Sequence, residues 1–205
     1  MPTRRLVVLA IAGALPLAVA LVGLFLLRDA EATPAYRGSR PPEGIKATDF
    51  ALRSYTGREV RMAGLRDRVV ALTFLDAQCE ESCPVIAATA PRALALLDAE
   101  DRKRVALVAI TTDPGEDTPA AVRAFLRRYR AEGELEYLVG PPAAVRRVWG
   151  DYGVLPSERS GSDSLHSAPV RVYAPGGEWV SSLSAGADLT ARNLAHDLRA
   201  AIDTE

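Results

Sequence analysis

Residues 68–113 read RVVALTFLDAQCEESCPVIAATAPRALALLDAEDRKRVALVAITTD, and this stretch decides the fold. It begins and ends with runs rich in β-branched residues, RVVALTFLD and RVALVAITTD, which are typical of strands. Between them, the sequence from Pro84 to about Glu100 has the pattern of a helix. Two strands joined by a helix form a βαβ unit, so the pattern predicts two parallel strands in one sheet.

The elements on either side of this unit predict an α/β domain. Upstream, residues 49–62, DFALRSYTGREVRM, give two alternating runs around a Thr-Gly turn, which indicates a β-hairpin. Downstream, a helix begins at Pro119 with Thr118 as its N-cap, and a short strand and another helix follow. A hairpin around Gly176-Gly177 and an amphipathic helix end the chain. This order predicts a thioredoxin-like α/β sandwich with an N-terminal hairpin.

An apolar segment precedes the domain. Residues 6–27, LVVLAIAGALPLAVALVGLFLL, carry no charge and are long enough to cross about 30 Å of hydrocarbon as one transmembrane helix. Arg4 and Arg5 lie before it, so the positive-inside rule places residues 1–5 in the cytoplasm and the rest of the chain outside. We expect an anchor rather than a cleaved signal peptide, because the apolar core of a signal peptide has only about 7 to 15 residues.

The remaining boundaries follow from composition. Residues 28–44 are rich in Pro, Gly and polar residues and predict a linker, and residues 45–205 form the predicted folded domain. The expected location is the cytoplasmic (inner) membrane, spanned once, with the C-terminal domain on the extracytoplasmic, periplasmic side. The chain has 25 Lys and Arg against 26 Asp and Glu, and this lack of a basic excess argues against a nucleic-acid partner.

Cys79 and Cys83 are the two cysteines of the chain, and they fall in the turn between the first strand of the βαβ unit and its helix. Functional sites of open α/β sheets lie at this end of the strands. Pro84 suits the first position of a helix, so we expect Cys83 just outside it, near backbone N–H groups that lower the pKa of a thiol. A structural disulfide, a redox pair and a metal site are all open at this point.

The three residues between the cysteines favour a metal site without excluding a redox pair. A disulfide that closes so short a loop constrains the unfolded chain little, which disfavours a purely structural role. Helical spacing would place the two Cβ atoms about 5 to 6 Å apart, whereas a disulfide needs about 3.5 to 4.5 Å. Glu80 and Glu81 would attract a cation, although each can also be an ordinary solvated charge.

Histidines are the natural further ligands. His166 lies where a polar, Ser-rich loop enters a strand, in the region that a thioredoxin-like domain brings back to face the first strand-to-helix turn. His196 lies in the last helix among polar residues and is expected at the surface. Two thiolates with an imidazole suit copper or zinc.

Three motifs resemble those of the SCO/SenC family, which comprises membrane-anchored, thioredoxin-like copper proteins that help to assemble cytochrome c oxidase. They are TFLDAQCEESCP at 73–84, TTDPGEDTP at 111–119 and HSAPVRVYAPGGEW at 166–179, and their order and spacing also agree. The resemblance implies that Cys79, Cys83 and His166 bind copper as Cu(I) or Cu(II), and that the cysteines cycle between dithiol and disulfide. Asp113 looks like a residue that supports this site, or else a turn residue before Pro114.

The sequence departs from the family pattern in two places. Glu80-Glu81 stand where the family usually has Pro-Asp, and Leu165 stands where it usually has Asp before the histidine. The missing acid removes a partner that could orient the imidazole, and such a loss costs about 10- to 100-fold in metal affinity. Asp163 is a candidate replacement.

The resemblance implies a metallochaperone, rather than an enzyme, that delivers copper to cytochrome c oxidase or matures its copper site outside the membrane. The implied partners are the copper-site subunit of the oxidase and other copper or thiol-disulfide carriers. The alternative is a thiol-disulfide oxidoreductase that keeps acceptor cysteines reduced, and His166 discriminates between the two because thiol exchange needs no imidazole. A peroxiredoxin-like peroxidase is disfavoured, because Ala77 and Gln78 do not supply an activating Thr and Arg.

Overall fold

The computed structural model describes residues 36–154 and 169–204. The predicted membrane segment at 6–27 lies outside the described residues, as do Asp163, Leu165 and His166. Within the described ranges, no helix is both long enough and apolar enough to span a bilayer.

The described chain follows the predicted order of strands and helices, with one additional short helix before the fourth strand. The strands are β1 (Ala51–Ser54), β2 (Glu59–Arg61), β3 (Val69–Leu75), β4 (Val105–Thr111), β5 (Leu135–Val139), β6 (Val170–Tyr173) and β7 (Trp179–Leu183). The helices are α1 (Ser82–Leu94), α2 (Ala99–Lys103), α3 (Pro119–Arg128), α4 (Pro142–Asp151) and α5 (Ala191–Ile202).

The strands form one sheet in the order β2-β1-β5-β4-β3-β6-β7. Strands β3, β4 and β5 are parallel, and the outer strands pair antiparallel. The register runs from Val69 opposite Val105 to Leu75 opposite Thr111, so β3 and β4 end level with each other. This arrangement confirms the predicted thioredoxin-like α/β sandwich, and it gathers the segments that follow β3 and β4 at one edge of the sheet.

The core covers both faces of the sheet. All residues of β3 and β4 are buried, as expected for central parallel strands that are packed on both sides. Helices α1, α3 and α5 contribute Ile86, Leu126 and Leu194 to one face. Helix α4 contributes Trp149 to the core on the other face, which also contains Phe50.

The helix after β3 differs from the prediction at both ends. Helix α1 begins at Ser82, so Cys83 is the second helical residue rather than the residue before the helix. Helix α1 ends at Leu94 instead of continuing to about Glu100. The reason for the break is a new start signal, because the Asp98 carboxylate accepts hydrogen bonds from the N–H groups of Glu100 and Asp101 and caps α2.

Residues 36–47, which we call the N-terminal strap, run antiparallel beside β7. Ser39 exchanges two backbone hydrogen bonds of 2.9 Å with Ser182, and Trp179 donates its N–H to Ile45. The predicted linker at 28–44 therefore needs correction over residues 36–44, which belong to the folded domain. The physical reason is that β7 is an edge strand whose backbone groups the strap satisfies.

A buried carboxylate attaches the strap to the domain. Asp197 of α5 is fully buried and accepts hydrogen bonds from the N–H groups of Arg37, at 2.8 Å, and Gly38, at 3.0 Å. It also accepts a 2.5 Å hydrogen bond from the Ser181 hydroxyl. Gly38 is required for this approach, because a Cβ there would lie 2.4 Å from Ser181 Oγ.

Candidate metal centre

A tight turn after β3 carries Cys79 to the carboxyl edge of the sheet. The backbone N–H of Cys79 donates to the carbonyl of Asp76 at 3.2 Å, and the N–H of Gln78 donates to Asp76 Oδ1 at 2.7 Å. The side chain of Asp76 therefore stabilises the turn that presents Cys79.

The two cysteines lie between β3 and the first turn of α1, the strand-to-helix turn that the sequence predicts. Both are present as thiols, and each is only 7% exposed. The thiol of Cys83 is hydrogen-bonded to Cys79. The turn and the first helical turn thus bring two sulfur donors into contact, largely shielded from solvent.

The ionisation of Cys83 differs from the expectation. Its contact with Cys79 and, second, its burial raise the pKa of Cys83, although a backbone hydrogen bond from Asp76 acts in the opposite direction. The expected lowering of this pKa by the N-terminus of the helix is outweighed, because the contact with Cys79 and the burial both favour the neutral thiol. Cys83 is therefore protonated at neutral pH, and a metal that binds it must displace the proton.

Carboxylates surround the turn. Glu80 and Glu81 are exposed, whereas Asp76 is half-buried. Burial raises the pKa of Asp76 against the opposing hydrogen bond from the Gln78 N–H, and the negative charge of Asp113 raises it further. The edge of the sheet at the cysteines is therefore an acidic surface.

Asp113 lies in the loop after β4 and has the geometry of a turn residue. Its Oδ1 accepts hydrogen bonds from the N–H groups of Gly115, at 3.1 Å, and Glu116, at 3.2 Å. Its own N–H donates to Thr111 Oγ1 at 3.0 Å. A supporting role of Asp113 towards a bound metal stays a prediction.

Asp117, four residues further along the same motif, is the acid that connects directly to the cysteine turn. It is 3% exposed, and its Oδ1 accepts the N–H of Ala77 at 3.0 Å. Its Oδ2 accepts the Thr111 hydroxyl at 2.6 Å and lies 2.6 Å from the Tyr137 hydroxyl. Burial raises the pKa of Asp117 to about 6 against the opposing effect of these three hydrogen bonds.

Sequence reasoning missed Asp117 and its partner Tyr137. The available signals were weak: Thr111 is the one polar residue of VALVAIT, and Tyr137 stands in the short strand LEYLV. A polar loop such as TTDPGEDTP does not disclose which of its two aspartates is buried.

Of the two histidines, the structure describes His196 only. His166 lies outside the described residues, so its predicted approach to the cysteines stays a prediction. His196 is on α5, where its Nδ1 lies 3.1 Å from Asp197 Oδ1 beside the N-terminal strap and its side chain is 37% exposed. Over residues 36–154 and 169–204, no cluster of three or more His, Cys, Asp or Glu side chains could hold a metal ion. The described residues thus supply two sulfur donors of the predicted site.

A cleft opens beside Cys79. The turn forms one wall, and Phe125, Arg128 and Tyr129 at the end of α3 form the other. The guanidinium of Arg128 lies 5.7 Å from the centre of the Tyr129 ring. The cleft therefore places a cationic side chain, Arg128, on the side opposite Cys79.

The fold and the site together define a class, a thioredoxin-like domain with a Cys-x-x-x-Cys pair at its first strand-to-helix turn. The SCO1/SenC family model matches residues 39–203. The chain therefore belongs to the SCO1/SenC family.

Individual relatives agree with this assignment. A Stutzerimonas stutzeri protein, named as a candidate copper-binding protein, is 31% identical over 119 residues, which cover 55% of this chain and 56% of that protein. The chain therefore matches little more than half of that relative. The apo Sco1 protein of Thermus thermophilus has 27% identity and a TM-score of 0.68, over 82% of this chain and 98% of that one.

A second solved structure supports the fold alone. BsSco, described as a member of the Sco family of cytochrome c oxidase assembly proteins with a disulfide switch, has 19% identity and a TM-score of 0.67. The match covers 82% of this chain and 99% of BsSco.

Proposed function

We propose that this chain is a copper-binding metallochaperone that delivers copper to cytochrome c oxidase or matures its copper site. The observation that carries the proposal is the contact between two buried thiols, Cys79 and Cys83, at the first strand-to-helix turn of a SCO1/SenC domain. The copper-binding description of the Stutzerimonas stutzeri relative supports it.

The donor set fits copper. Thiolates are soft ligands that select Cu(I), and an imidazole suits both oxidation states, so Cys79 and Cys83 with His166 provide a site for Cu(I) and Cu(II). The pKa of Cys83 is raised, so this residue loses its proton only when the cation binds. Asp76, Glu80 and Glu81 favour the approach of that cation.

Transfer proceeds by ligand exchange in the cleft. A thiolate of the acceptor enters beside Cys79, and the two cysteines release the copper as acceptor ligands replace them. The acceptor is the copper-site subunit of the oxidase, and other copper or thiol-disulfide carriers load the chain. We place this exchange outside the inner membrane, with residues 6–27 as the anchor.

Competition titrations of the full chain in detergent test the copper site. Cu(I) and Cu(II) affinities are measured for the wild type, Cys83→Ser and His166→Ala, with Arg146→Ala on the opposite face of the sheet as a control. We expect each ligand variant to lose at least about tenfold in affinity, and the control to match the wild type. A wild type that binds copper no more tightly than Cys83→Ser would refute the proposal.

The contact between the thiols favours a second candidate, reduction of an acceptor disulfide. In this reaction the Cys79–Cys83 bond forms, the acceptor disulfide breaks, and two electrons and two protons pass to the acceptor thiols. His166→Ala separates the candidates, because a reductase keeps its rate in this variant whereas copper binding weakens. Loss of both activities in His166→Ala would count against the reductase.

A further inference from the structure

We propose that Asp117 is the positioning residue of the cysteine pair: through the N–H of Ala77 it fixes the turn that presents Cys79, and so holds the pair in its dithiol arrangement. This deepens the proposed function, because the same two sulfurs are the proposed copper ligands. The main readout below, however, needs no copper.

Asp117 joins segments of three parallel strands to the cysteine turn. Thr111 is the last residue of β4, Tyr137 belongs to β5, and Ala77 follows β3 by two residues. All three donate to, or lie within hydrogen-bond distance of, one carboxylate that is 3% exposed. A carboxylate so placed ties the turn to the buried central strands of the sheet.

Of the three hydrogen bonds to Asp117, the one from the Ala77 N–H cannot be replaced by rotation of a side chain. The Thr111 and Tyr137 hydroxyls can rotate and act as donors or acceptors, whereas a backbone N–H only donates. The Tyr137 hydroxyl also lies 2.8 Å from the carbonyl of Leu75, so its proton has a second acceptor. If the carboxylate is removed, the Ala77 N–H is left without its acceptor, and the turn must move to satisfy it.

Movement of the turn matters for the sulfurs. The Cys79 N–H is bonded to the Asp76 carbonyl, so Cys79 shifts with the residues that Asp117 holds. Closing a disulfide shortens the separation of the two hydrogen-bonded sulfurs to about 2.05 Å, so the cysteine turn, the start of α1 or both must shift. The Asp117–Ala77 bond opposes that rearrangement and thereby favours the dithiol.

The experiment measures the dithiol-disulfide equilibrium of the full chain, without copper, in glutathione redox buffers. In this exchange the Cys79–Cys83 bond forms, the bond of oxidised glutathione breaks, and two reduced glutathione molecules leave with the two thiol protons. The variants are Asp117→Ala and Asp117→Asn. The matched control is Asp98→Ala, which removes an exposed carboxylate that also accepts two backbone N–H groups, at the start of α2.

We expect Asp117→Ala to shift the equilibrium towards the disulfide by about tenfold, which is about 30 mV for a two-electron couple. Asp117→Asn should restore most of the wild-type value, because the amide oxygen still accepts from Ala77 while the hydroxyls reorient towards the amide NH₂. Asp98→Ala should match the wild type. A merely destabilising loss of a hydrogen bond would not produce this ranking.

Several outcomes overturn the proposal. The first is that Asp117→Ala and Asp98→Ala have the same dithiol-disulfide equilibrium. The second is that Asp117→Ala shifts the equilibrium towards the dithiol, and the third is that Asp117→Asn departs from the wild type as far as Asp117→Ala does.

Amide exchange in the wild type gives a test that needs no variant: the Ala77 N–H must exchange more slowly than that of exposed Glu80, and equal rates refute the proposal. Absence of copper binding by the wild type would refute the proposed function and leave these readouts intact.

Discussion

The buried carboxylate of Asp117 should make the stability of the domain fall as pH rises, and Asp117→Asn should abolish that contribution. Burial raises the pKa of Asp117 from 3.8 to about 6 in the folded chain. Between these two values the folded state retains a proton that the unfolded state has lost. Unfolding free energy therefore decreases with pH through this window and levels off above about pH 6.

The magnitude follows from the difference between the two pKa values. At about 1.4 kcal/mol for each unit of pKa, the ionised carboxylate costs about 3 kcal/mol at neutral pH relative to the protonated one. About 2 kcal/mol of this falls between about pH 4.5 and pH 7.5. Asparagine has the same shape and no charge to bury, so it mimics the protonated acid at every pH.

The assay is urea unfolding of the wild type and Asp117→Asn in the same detergent across that pH range. The wild type minus variant difference cancels the titration of the other acids, and we expect it to fall by about 2 kcal/mol. A difference that stays constant would show that Asp117 is already ionised at the acidic end. In that case the three hydrogen bonds to its oxygens outweigh burial, contrary to the reasoning.

Three further results are expected. Gly38→Ala places a Cβ 2.4 Å from Ser181 Oγ and should release the N-terminal strap to protease digestion, whereas Gly64→Ala, with nothing within 4 Å, should not; equal digestion would contradict the close packing. Asp197→Ala leaves the Ser181 hydroxyl and the N–H groups of Arg37 and Gly38 without their acceptor, so it should lower the free energy of unfolding by about 3 kcal/mol or more. Urea unfolding that shows no loss of stability would contradict this account. Because the pKa of Cys83 is raised, apparent copper affinity should increase with pH by up to about tenfold per unit, and a flat profile in competition titrations would show that no thiol proton is displaced.

The sheet was accessible from sequence because its signals are local. Strands β3 and β4 are apolar runs with one threonine each, and the hairpin between β1 and β2 turns at Gly57, whose φ of 94° suits glycine. The N-cap of α3, Thr118, was also predicted correctly, because its hydroxyl bonds a backbone N–H three residues away.

The N-terminal strap was not accessible in the same way. Its Pro- and Gly-rich composition does indicate extended chain, but its attachment depends on Asp197, which lies 160 residues from Arg37. Nothing local in either segment predicts that pairing. The position of the break between α1 and α2 was missed because the capping strength of Asp98 competes with a continuous helical pattern.

In the site, too, local features were predicted from sequence and long-range contacts were not. The position of Cys79 and Cys83 between a strand and a helix was predicted from sequence. The direction of the Cys83 pKa was wrong, because it depends on the contact between the sulfurs rather than on the helix terminus alone. Asp117 was missed since its burial arises from three strands that converge only in the folded chain.

The central claim is that copper binds to the two cysteines and His166, and X-ray absorption at the copper edge of the loaded full chain tests it most directly. We predict two sulfur ligands and one nitrogen ligand for Cu(I), one sulfur in Cys83→Ser, and two sulfurs without the imidazole in His166→Ala. Copper bound through oxygen and nitrogen alone, or a spectrum unchanged in Cys83→Ser, would contradict the account.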